Sequence, residues 1–238
     1  MDLQLPDLKR TVEPELMDDP VQAAAYAAAD FSSSDEALVD RVEACFGADL
    51  GGRLLDLGCG PGTITFRLAE RFPGASVLGV DGAPAMLALA DKERLRRMAN
   101  SPQLADRVTF AAYRLAADGP GSTPLQGFTA VVSNSLLHHL HDPQVLWGQL
   151  RQMAAPGAAI YIKDLRRPAT AAAAEALLHL HLGSAPPVLQ RDYLASLHAA
   201  FRLEEVEAQL VAAGLPLGPG GLQVAGVEDR YLEIVGRL

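Results

Sequence analysis

The sequence predicts an α/β fold built on a mostly parallel sheet of seven strands, with an antiparallel hairpin at the C-terminal end and helices on both faces. Two observations predict it. Short apolar runs alternate with longer helical segments between Arg53 and Lys163, a spacing typical of right-handed βαβ units. Near the end of the chain, two polar residues separate strand-like segments at 222–227 and 230–235, which indicates a hairpin at one edge of the sheet.

The five strands that precede the hairpin are short apolar runs. Examples are ASVLGV at 75–80 and FTAVVS at 128–133, and such runs are typical of parallel strands that helices cover on both faces. The predicted strands span 53–57, 75–80, 108–112, 128–133 and 158–163. The predicted helices span 63–71, about 84–98, about 143–153 and about 203–213.

Two segments lie outside this alternation. Residues 1 to about 50 include the stretch PVQAAAYAAADFSSS, which predicts one alanine-rich helix. Residues from about 168 to 200 include the turn-forming sequence GSAPP. We interpret the chain, residues 1–238, as a single domain in which the first segment is a helical cap and the second a lid insertion over a pocket.

Composition and charge disfavour several classes of partner. The net charge is −9, and the chain lacks the large basic cluster that is typical of nucleic-acid binding. No apolar run reaches the roughly 18 residues of a membrane helix, and the first residues lack the pattern of a secretory signal. With two cysteines, one of them inside a glycine-rich loop, we expect a reducing, cytoplasmic compartment. The sequence leaves the oligomeric state open.

A glycine-rich loop follows the first predicted strand, in the sequence DLGCGPGTIT. Gly58, Gly60 and Gly62 alternate with other residues, so that a ligand can approach bare backbone. A Walker phosphate loop needs a lysine after its last glycine, and none is near. A dinucleotide fingerprint needs a glycine where Thr63 stands. The spacing therefore excludes a Walker loop and argues against a dinucleotide site.

Acidic residues lie at the ends of the first two predicted strands. Asp56 lies two residues before the first glycine, and Asp81 follows the second strand. A carboxylate beside the loop repels pyrophosphate but attracts a cation. A carboxylate at the tip of the second strand can accept hydrogen bonds from both hydroxyls of a ribose. The pair therefore favours a nucleoside with a positively charged tail, which is the chemistry of S-adenosylmethionine.

Four segments in this order resemble the class I S-adenosylmethionine-dependent methyltransferases: LLDLGCGPG, VLGVDGAPAML, VVSNSLLHHLHDP and APGAAIYIKDLRRP. The resemblance covers roughly residues 50–170 and is nearest to the broad group that contains the ubiquinone and menaquinone biosynthesis C-methyltransferases. It implies a Rossmann-like fold, S-adenosylmethionine as the cofactor, and in-line methyl transfer to a small-molecule acceptor that the sequence does not identify.

The resemblance also implies cofactor-binding roles. The three loop glycines are expected to pack against the methionine part of the cofactor, Asp56 to orient its amino end through the loop backbone, and Asp81 to bind the ribose. Tyr26 either meets the sulfonium by cation–π attraction or packs in the core. The remaining cofactor-binding residues in this interpretation are Cys59, Gly82, Met86, Arg114, Leu115 and Asn134.

The expected adenine ligand departs from the family pattern. Many members place an acid after the third strand, but Tyr113 and Arg114 occupy those positions here, and an arginine side chain cannot accept a hydrogen bond. Either Asp118 reaches in from the following loop, or the backbone of Arg114 and Leu115 contacts the adenine while the arginine stacks on it. The sequence does not decide between these alternatives.

His138 and His139 are the candidate catalytic residues, because the resemblance places them beside the methyl group. One of them can act as a general base for an acceptor that arrives protonated; the alternative is a role in packing. We expect no metal site, since adjacent residues in a turn point apart and no nearby acid completes a ligand set.

Charged residues near the end of the fifth strand are candidates for acceptor binding. Asp164, Arg166 and Arg167 turn toward the same edge of the sheet and suit an anionic acceptor, although solvated loop charges explain them equally well. Tyr193, in the lid segment, is a further candidate. Two other functions stay open: a protein that binds S-adenosylmethionine without transferring its methyl group, and a nicotinamide-dependent oxidoreductase.

Overall fold

A sheet of seven strands forms the centre of the computed structural model, which describes residues 7–115 and 125–238. The strands are β1 (Arg53–Leu57), β2 (Ser76–Asp81), β3 (Val108–Ala112), β4 (Phe128–Asn134), β5 (Ala154–Leu165), β6 (Gln223–Val227) and β7 (Tyr231–Arg237).

The strand order across the sheet is β3-β2-β1-β4-β5-β7-β6. Neighbours from β3 to β5 run parallel, whereas β7 runs antiparallel to both β5 and β6. The prediction of a mostly parallel seven-stranded sheet with an antiparallel C-terminal hairpin is confirmed. Because the order reverses between β1 and β4, the carboxyl ends of these two strands flank a crevice.

Helices cover both faces of the sheet. They are α1 (Pro20–Ala28), α2 (Ser32–Phe46), α3 (Thr63–Arg71), α4 (Pro84–Met98), α5 (Pro102–Ala105), α6 (Gln144–Met153), α7 (Ala171–Leu182), α8 (Pro187–Ala199) and α9 (Leu203–Ala212), with a 3-10 helix at Leu137–His139. Adjacent residues of β4 point to opposite faces of the sheet. Val131 packs in the buried hydrophobic cluster that contains Trp147, and Val132 packs in the cluster that contains Phe66. Because both faces are buried, the strands are continuous apolar runs. Among the described residues, we find no helix long and apolar enough to cross a membrane.

The alanine-rich stretch near the N-terminus forms two helices, so the prediction of a single helix is wrong. Helix α1 ends at Ala28, and α2 begins at Ser32. The side chain of Asp30 accepts hydrogen bonds from the backbone N–H of Ser32 at 3.0 Å and from its hydroxyl at 2.5 Å. This local bonding competes with continuation of the first helix and favours the start of a second one.

The fifth strand is longer than predicted. Strand β5 runs from Ala154 to Leu165, because Ala154 pairs with Phe128 of β4 and Leu165 pairs with Tyr231 of β7. Pairing with both neighbours thus extends the strand beyond the apolar run that predicted it. The bounds of the other predicted strands and helices agree with the structure to within two residues.

The N-terminal segment, residues 7–19, lies beside the pair of helices α7 and α8. The N–H of Leu8 donates to the carbonyl of Ala169 at 2.8 Å, and the N–H of Thr11 donates to that of His198 at 3.0 Å. Both outlying segments therefore meet over the same side of the molecule. Their roles as cap and lid stay a prediction.

Gly62 provides a test of the tight turn between β1 and α3. Its φ is +85°, and an added Cβ would lie 2.6 Å from Cζ of Phe110. We expect Gly62→Ala to lower the free energy of unfolding by about 2–5 kcal/mol, from left-handed strain and overpacking together.

Gly60→Ala is the matched control for this change. Gly60 has φ +53°, and a Cβ there would meet no atom within 4 Å, so that strain alone should cost about 1–2 kcal/mol. Urea denaturation measures both variants. Equal losses of stability would show that contact with Phe110 does not require a glycine at position 62.

Candidate active site

A cavity of about 410 Å³ opens at the carboxyl ends of the parallel strands. One wall is the edge of the sheet, formed by the loop after β1, the end of β2 and the segment that follows β4. The opposite wall comes from the N-terminal segment, α1, α8 and the start of β7. Open α/β sheets bind their ligands at this place.

Hydrogen bonds tie the glycine loop to the end of β2. The backbone N–H groups of Gly58 and Cys59 both donate to the carbonyl of Val80 at 2.9 Å. The N–H of Gly60 donates to the carboxylate of Asp81 at 2.8 Å. Gly58 and Gly60 line the cavity, and the open space beside Gly60 lets a ligand approach the backbone there.

The other two loop residues with predicted cofactor roles lie behind the loop. Cys59 is buried, with 7% of its surface exposed. Gly62 begins α3 and packs against Phe110. Their positions support the shape of the loop, and direct contact of either residue with the cofactor stays a prediction.

The two predicted acids occupy different positions. Asp56 lies beneath the loop, where the hydroxyl of Thr65 donates to its carboxylate at 2.6 Å, and burial raises the pKa of Asp56 to about 7. Asp81 lines the cavity, and burial raises its pKa as well. The second oxygen of Asp81 accepts from the N–H of Ala83 at 2.8 Å. Each carboxylate oxygen can accept a further hydrogen bond, which leaves Asp81 able to bind a ligand hydroxyl.

The remaining residues with predicted cofactor roles line the cavity: Tyr26, Gly82, Met86, Arg114, Leu115 and Asn134. The side chain of Arg114 is 61% exposed and pairs with Glu15 of the N-terminal segment at 3.2 Å. This ion pair favours the backbone of Arg114 and Leu115, rather than the guanidinium, as the adenine contact. Asp118, the other candidate, lies outside the described residues.

His138 and His139 lie side by side, with ring centroids 4.2 Å apart. Nδ1 of His138 lies 2.5 Å from a carboxylate oxygen of Asp164, and its Nε2 lies 3.4 Å from Oε1 of Glu13. Nδ1 of His139 lies 3.3 Å from the same oxygen. Both premises of the expectation of no metal site are therefore wrong: the rings do not point apart, and an acid reaches them from the N-terminal segment.

The charges of this cluster shift the protonation of its members. Burial lowers the pKa of His138, but the attraction of Asp164 and Glu13 outweighs burial and raises the pKa above its ordinary value. Burial, together with repulsion from His138, lowers the pKa of His139 to about 3. Burial raises the pKa of Glu13. His139 is therefore neutral at neutral pH.

Three of the four residues predicted to bind the acceptor are bonded within the fold. Asp164 contacts the first histidine of the pair, as described above. Arg167 is buried and binds the carboxylate of Glu205 at 2.5 Å. Arg166 donates to the carbonyl of Asp229 at 3.2 Å. These groups serve contacts inside the protein, and none of the three lines the cavity. Their role in acceptor binding stays a prediction that the geometry does not support.

Tyr193 lines the cavity. Its hydroxyl oxygen is buried and has no hydrogen-bond partner within the part of the chain that the structure describes. Burial of a hydroxyl without a partner costs free energy, so such a group requires an explanation. Because the hydroxyl belongs to a residue of the cavity wall, it is suited to a polar atom of a ligand.

The sequence interpretation missed residues that reach the site from distant parts of the chain. Glu13 contacts the histidine pair from the N-terminal segment. Arg230 lines the cavity and stacks over the ring of Tyr231 at 4.6 Å. Neither belongs to a local motif. The only sequence signal was the general prediction that a cap covers the pocket.

Comparison with known proteins gives the family of the central segment. Residues 55–160 match a family described as a methyltransferase domain. Trans-aconitate 2-methyltransferase of Methylobacterium radiotolerans is 37% identical over 109 residues, which cover 46% of this chain and 36% of that protein. Ubiquinone biosynthesis O-methyltransferase of Xanthomonas campestris pv. campestris is 33% identical over 117 residues, 49% of this chain and 44% of that protein. The matches thus span less than half the length of these relatives.

Solved structures share the fold over most of the chain. An S-adenosylmethionine-dependent methyltransferase from Aquifex aeolicus superposes with a TM-score of 0.62 at 19% identity, covering 92% of this chain and 98% of that one. The plantazolicin methyltransferase BpumL, in complex with S-adenosylhomocysteine, gives a TM-score of 0.62 at 15% identity, covering 92% and 90%. The likeness in fold therefore extends well beyond the central segment 55–160.

Asp56 should make the stability of the fold depend on pH. Its pKa of about 7 in the folded protein lies above the ordinary carboxyl value. The folded state therefore holds this proton more tightly than the unfolded state, and the free energy of unfolding falls as pH rises between about 4 and 7. We expect Asp56→Asn to remove a slope of roughly 1 kcal/mol per pH unit in this window.

Urea denaturation of both proteins at several pH values measures this contribution. The difference in stability between the wild type and Asp56→Asn should shift in favour of the variant as pH rises. A constant difference from pH 4 to 7 would contradict the prediction.

Proposed function

Since residues 55–160 match a methyltransferase domain family, we propose that this chain transfers a methyl group from S-adenosylmethionine to an oxygen atom of a small-molecule acceptor. The observation that carries the proposal is the pairing of the glycine loop with Asp81 at one wall of the cavity. Gly60 offers open backbone, and Asp81 offers a carboxylate for ribose hydroxyls.

The charge around the cavity fits a cationic cofactor. Its acidic lining residues are Glu15, Asp30, Asp35, Asp81 and Asp192. A positively charged ligand gains Coulomb energy in these surroundings. Asp56, beneath the loop, adds to the attraction when it is ionised. The aromatic ring of Tyr26, on the opposite wall of the cavity, is available for cation–π contact with the sulfonium.

Position and exclusion of water are the main tasks of the protein in this reaction. The bound cofactor supplies a methyl group on a sulfonium, which is already a good leaving group. The chain then needs to align the acceptor and keep water out. The hydroxyl of Ser196 on α8 donates to Glu13 at 3.1 Å, so two of the covering elements are joined above the cavity. His138 and His139 stay the residues predicted to lie at the reacting atoms.

The acceptor side of the cavity is built by α8 and the C-terminal hairpin. Tyr193 offers a hydroxyl for a polar atom of the acceptor. The guanidinium of Arg230 pairs with Asp229 at 3.3 Å, and its further N–H donors suit a carboxylate or a similar anion at the cavity wall. The relatives named trans-aconitate 2-methyltransferase and ubiquinone biosynthesis O-methyltransferase support a small molecule with a reactive oxygen. We therefore propose an acceptor that carries an anionic group near the oxygen that is methylated.

The setting of the reaction is also part of the proposal. Cys45 and Cys59 are both unpaired, which supports a reducing compartment such as the cytoplasm. The net charge of −9 supports a small molecule rather than a nucleic acid as the acceptor.

Asp81→Ala should weaken the binding of S-adenosylmethionine by about 1.5–3 kcal/mol, because the ribose hydroxyls lose a charged acceptor. Isothermal titration calorimetry measures the change. Asp91→Ala is the matched control, since it removes an acid of α4 whose side chain is 57% exposed, and it should keep the wild-type affinity. Unchanged affinity of Asp81→Ala would remove this residue from the site.

Two further measurements separate the alternative functions. Titration with NAD and NADP tests the oxidoreductase, and binding of either in place of S-adenosylmethionine would overturn the methyltransferase proposal. A cofactor with a labelled methyl group, incubated with a panel of hydroxylated and carboxylated small molecules, tests transfer. Label in an acceptor supports the proposal, whereas label that stays in the bound cofactor favours a protein that binds without transferring.

Tyr193→Phe should raise the KM for the acceptor roughly five- to tenfold, which is the loss of one hydrogen bond. Its affinity for S-adenosylmethionine should not change. Because the hydroxyl is buried without a partner, its removal should leave the melting temperature unchanged or higher. Tyr161→Phe, whose hydroxyl bonds Glu233 at 3.3 Å, is the control and should keep the wild-type KM. A fall in melting temperature with an unchanged KM for Tyr193→Phe would give the hydroxyl a structural role instead.

A further inference from the structure

Glu13, His138 and His139 bring three metal-ligating atoms together beside the cavity. One ligand atom of each residue lies within 4.8 Å of the others. The residues come from two segments that are distant in sequence, the N-terminal segment and the 3-10 helix after β4. Two imidazoles and one carboxylate are a ligand set of catalytic zinc sites, which leave a fourth position to water or substrate.

The distances within this set fit a bound ion. Oε1 of Glu13 lies 3.4 Å from Nε2 of His138 and 3.3 Å from Nδ1 of His139. Tetrahedral zinc with bonds of about 2.0–2.2 Å places its ligand atoms about 3.4 Å apart. An ion between the three residues therefore requires little movement of the carboxylate relative to either ring.

Outer contacts orient the ligands. A carboxylate oxygen of Asp164 lies 2.5 Å from Nδ1 of His138, and the backbone N–H of Leu137 donates to the other oxygen at 2.6 Å. The hydroxyl of Ser196 donates to Glu13 at 3.1 Å. Histidine ligands of zinc usually donate their second ring nitrogen to a carboxylate, because that bond fixes the tautomer and leaves the first nitrogen to bind the metal.

We propose that Glu13, His138 and His139 bind a divalent cation of the zinc class, with Asp164 as a positioning residue for His138. Both histidines line the cavity, so that the remaining coordination position faces the space where a ligand binds. The ion also balances the charge of two largely buried carboxylates, Glu13 and Asp164, which are costly to bury without a cation.

His138 is a poor candidate for a general base. Both ring nitrogens of His138 lie beside carboxylates, which leaves neither to take a proton from an acceptor. Nδ1 of His139 lies 3.3 Å from the carbonyl oxygen of Pro14 as well as from Glu13. Nδ1 cannot donate to this carbonyl and bind a metal at the same time, so a bound ion would replace the hydrogen bond to Pro14.

The role of the ion rests on the methyl transfer proposed above. Held by Glu13, His138 and His139, a zinc-class ion would supply a Lewis acid that lowers the pKa of an acceptor hydroxyl, so that the O–H proton could pass to solvent before the methyl transfer. A lone pair of that oxygen forms the new bond to the methyl carbon. The electron pair of the carbon–sulfur bond stays on sulfur, which becomes a neutral thioether.

Metal binding is measured independently of methyl transfer. The full chain is stripped with a chelator and titrated with Zn²⁺ and with Co²⁺ by calorimetry, and the visible absorption of bound Co²⁺ reports its coordination. We expect one ion per chain. Glu13→Gln and His139→Ala should each weaken the affinity by on the order of a hundredfold, and Asp164→Asn by about ten- to a hundredfold. Circular dichroism confirms that each variant is folded.

His141→Ala is the matched control. This histidine follows the same 3-10 helix, but its Nε2 lies 2.8 Å from the backbone carbonyl oxygen of Glu13 rather than beside the carboxylate. The variant should keep the wild-type affinity and Co²⁺ spectrum. Failure of the wild type to bind either ion stoichiometrically, or equal affinity in Glu13→Gln and the wild type, would overturn the site.

The cofactor proposal is tested separately in the same set of variants. Glu13→Gln and His139→Ala should keep their affinity for S-adenosylmethionine, and Asp81→Ala should keep its affinity for Zn²⁺. Metal binding without cofactor binding would refute the proposed function and leave the metal site in place. The reverse result would refute the metal site alone.

Discussion

The hydrogen bonds between the glycine loop and the carboxyl end of β2 are the constraint on which the site depends. Strands β1 and β2 pair in register, with Leu57 opposite Val80. The chain leaving β1 therefore turns directly beside the carboxyl end of β2, where Gly58 and Cys59 both donate to the carbonyl of Val80. Buried backbone donors need such partners, and the turn that supplies them requires positive φ at all three loop glycines.

The same constraint sets the position of Asp81. Its carboxylate accepts from the N–H of Gly60 on one side and from that of Ala83 on the other. The side chain is thus held at the strand tip before any ligand arrives. A site that is already ordered avoids the entropy cost of arranging its groups on binding. The wall of the cavity at the sheet edge, where the cofactor is proposed to bind, therefore follows from the pairing of β1 with β2 and from the glycine loop.

The opposite wall of the cavity, from the N-terminal segment, α1, α8 and the start of β7, is fixed mainly by side-chain hydrogen bonds. Arg10 donates to the carbonyl of Ala199 at 2.6 Å and to that of Leu140 at 2.9 Å, which joins the N-terminal segment to α8 and to the segment after β4. Glu13 adds its contacts to the histidine pair a few residues later. The apolar clusters beside these elements are small compared with the two that pack against the sheet. Polar bonds rather than a large core therefore fix the cover.

The contrast between a wall built from local backbone structure and a wall held by distant side chains explains which features the sequence predicted. Strands, helices and the glycine loop follow from local periodicity and spacing, and their bounds agreed closely with the structure. The break at Asp30 depends on a single side chain that bonds its neighbouring backbone, and the extension of β5 depends on pairing with β4 and β7. Neither leaves a periodic signal in the sequence. Arg167 carried a charge that suited an acceptor, but only the fold shows that Glu205 already binds it.

The division between the two walls also bears on how the protein selects its acceptor. Backbone groups of the glycine loop and the tips of β1 and β2 form the wall at the sheet edge, and the same backbone hydrogen bonds hold the sheet and the loop together. Side chains from distant elements form the opposite wall, where we propose that the acceptor binds; Tyr193 and Arg230 are among them. The opposite wall can therefore change while the wall at the sheet edge stays the same, which explains why the cofactor was predictable from local motifs and the acceptor was not. The histidine pair lies where the two walls meet, and its chemistry depends on Glu13, a residue that no motif connects to it.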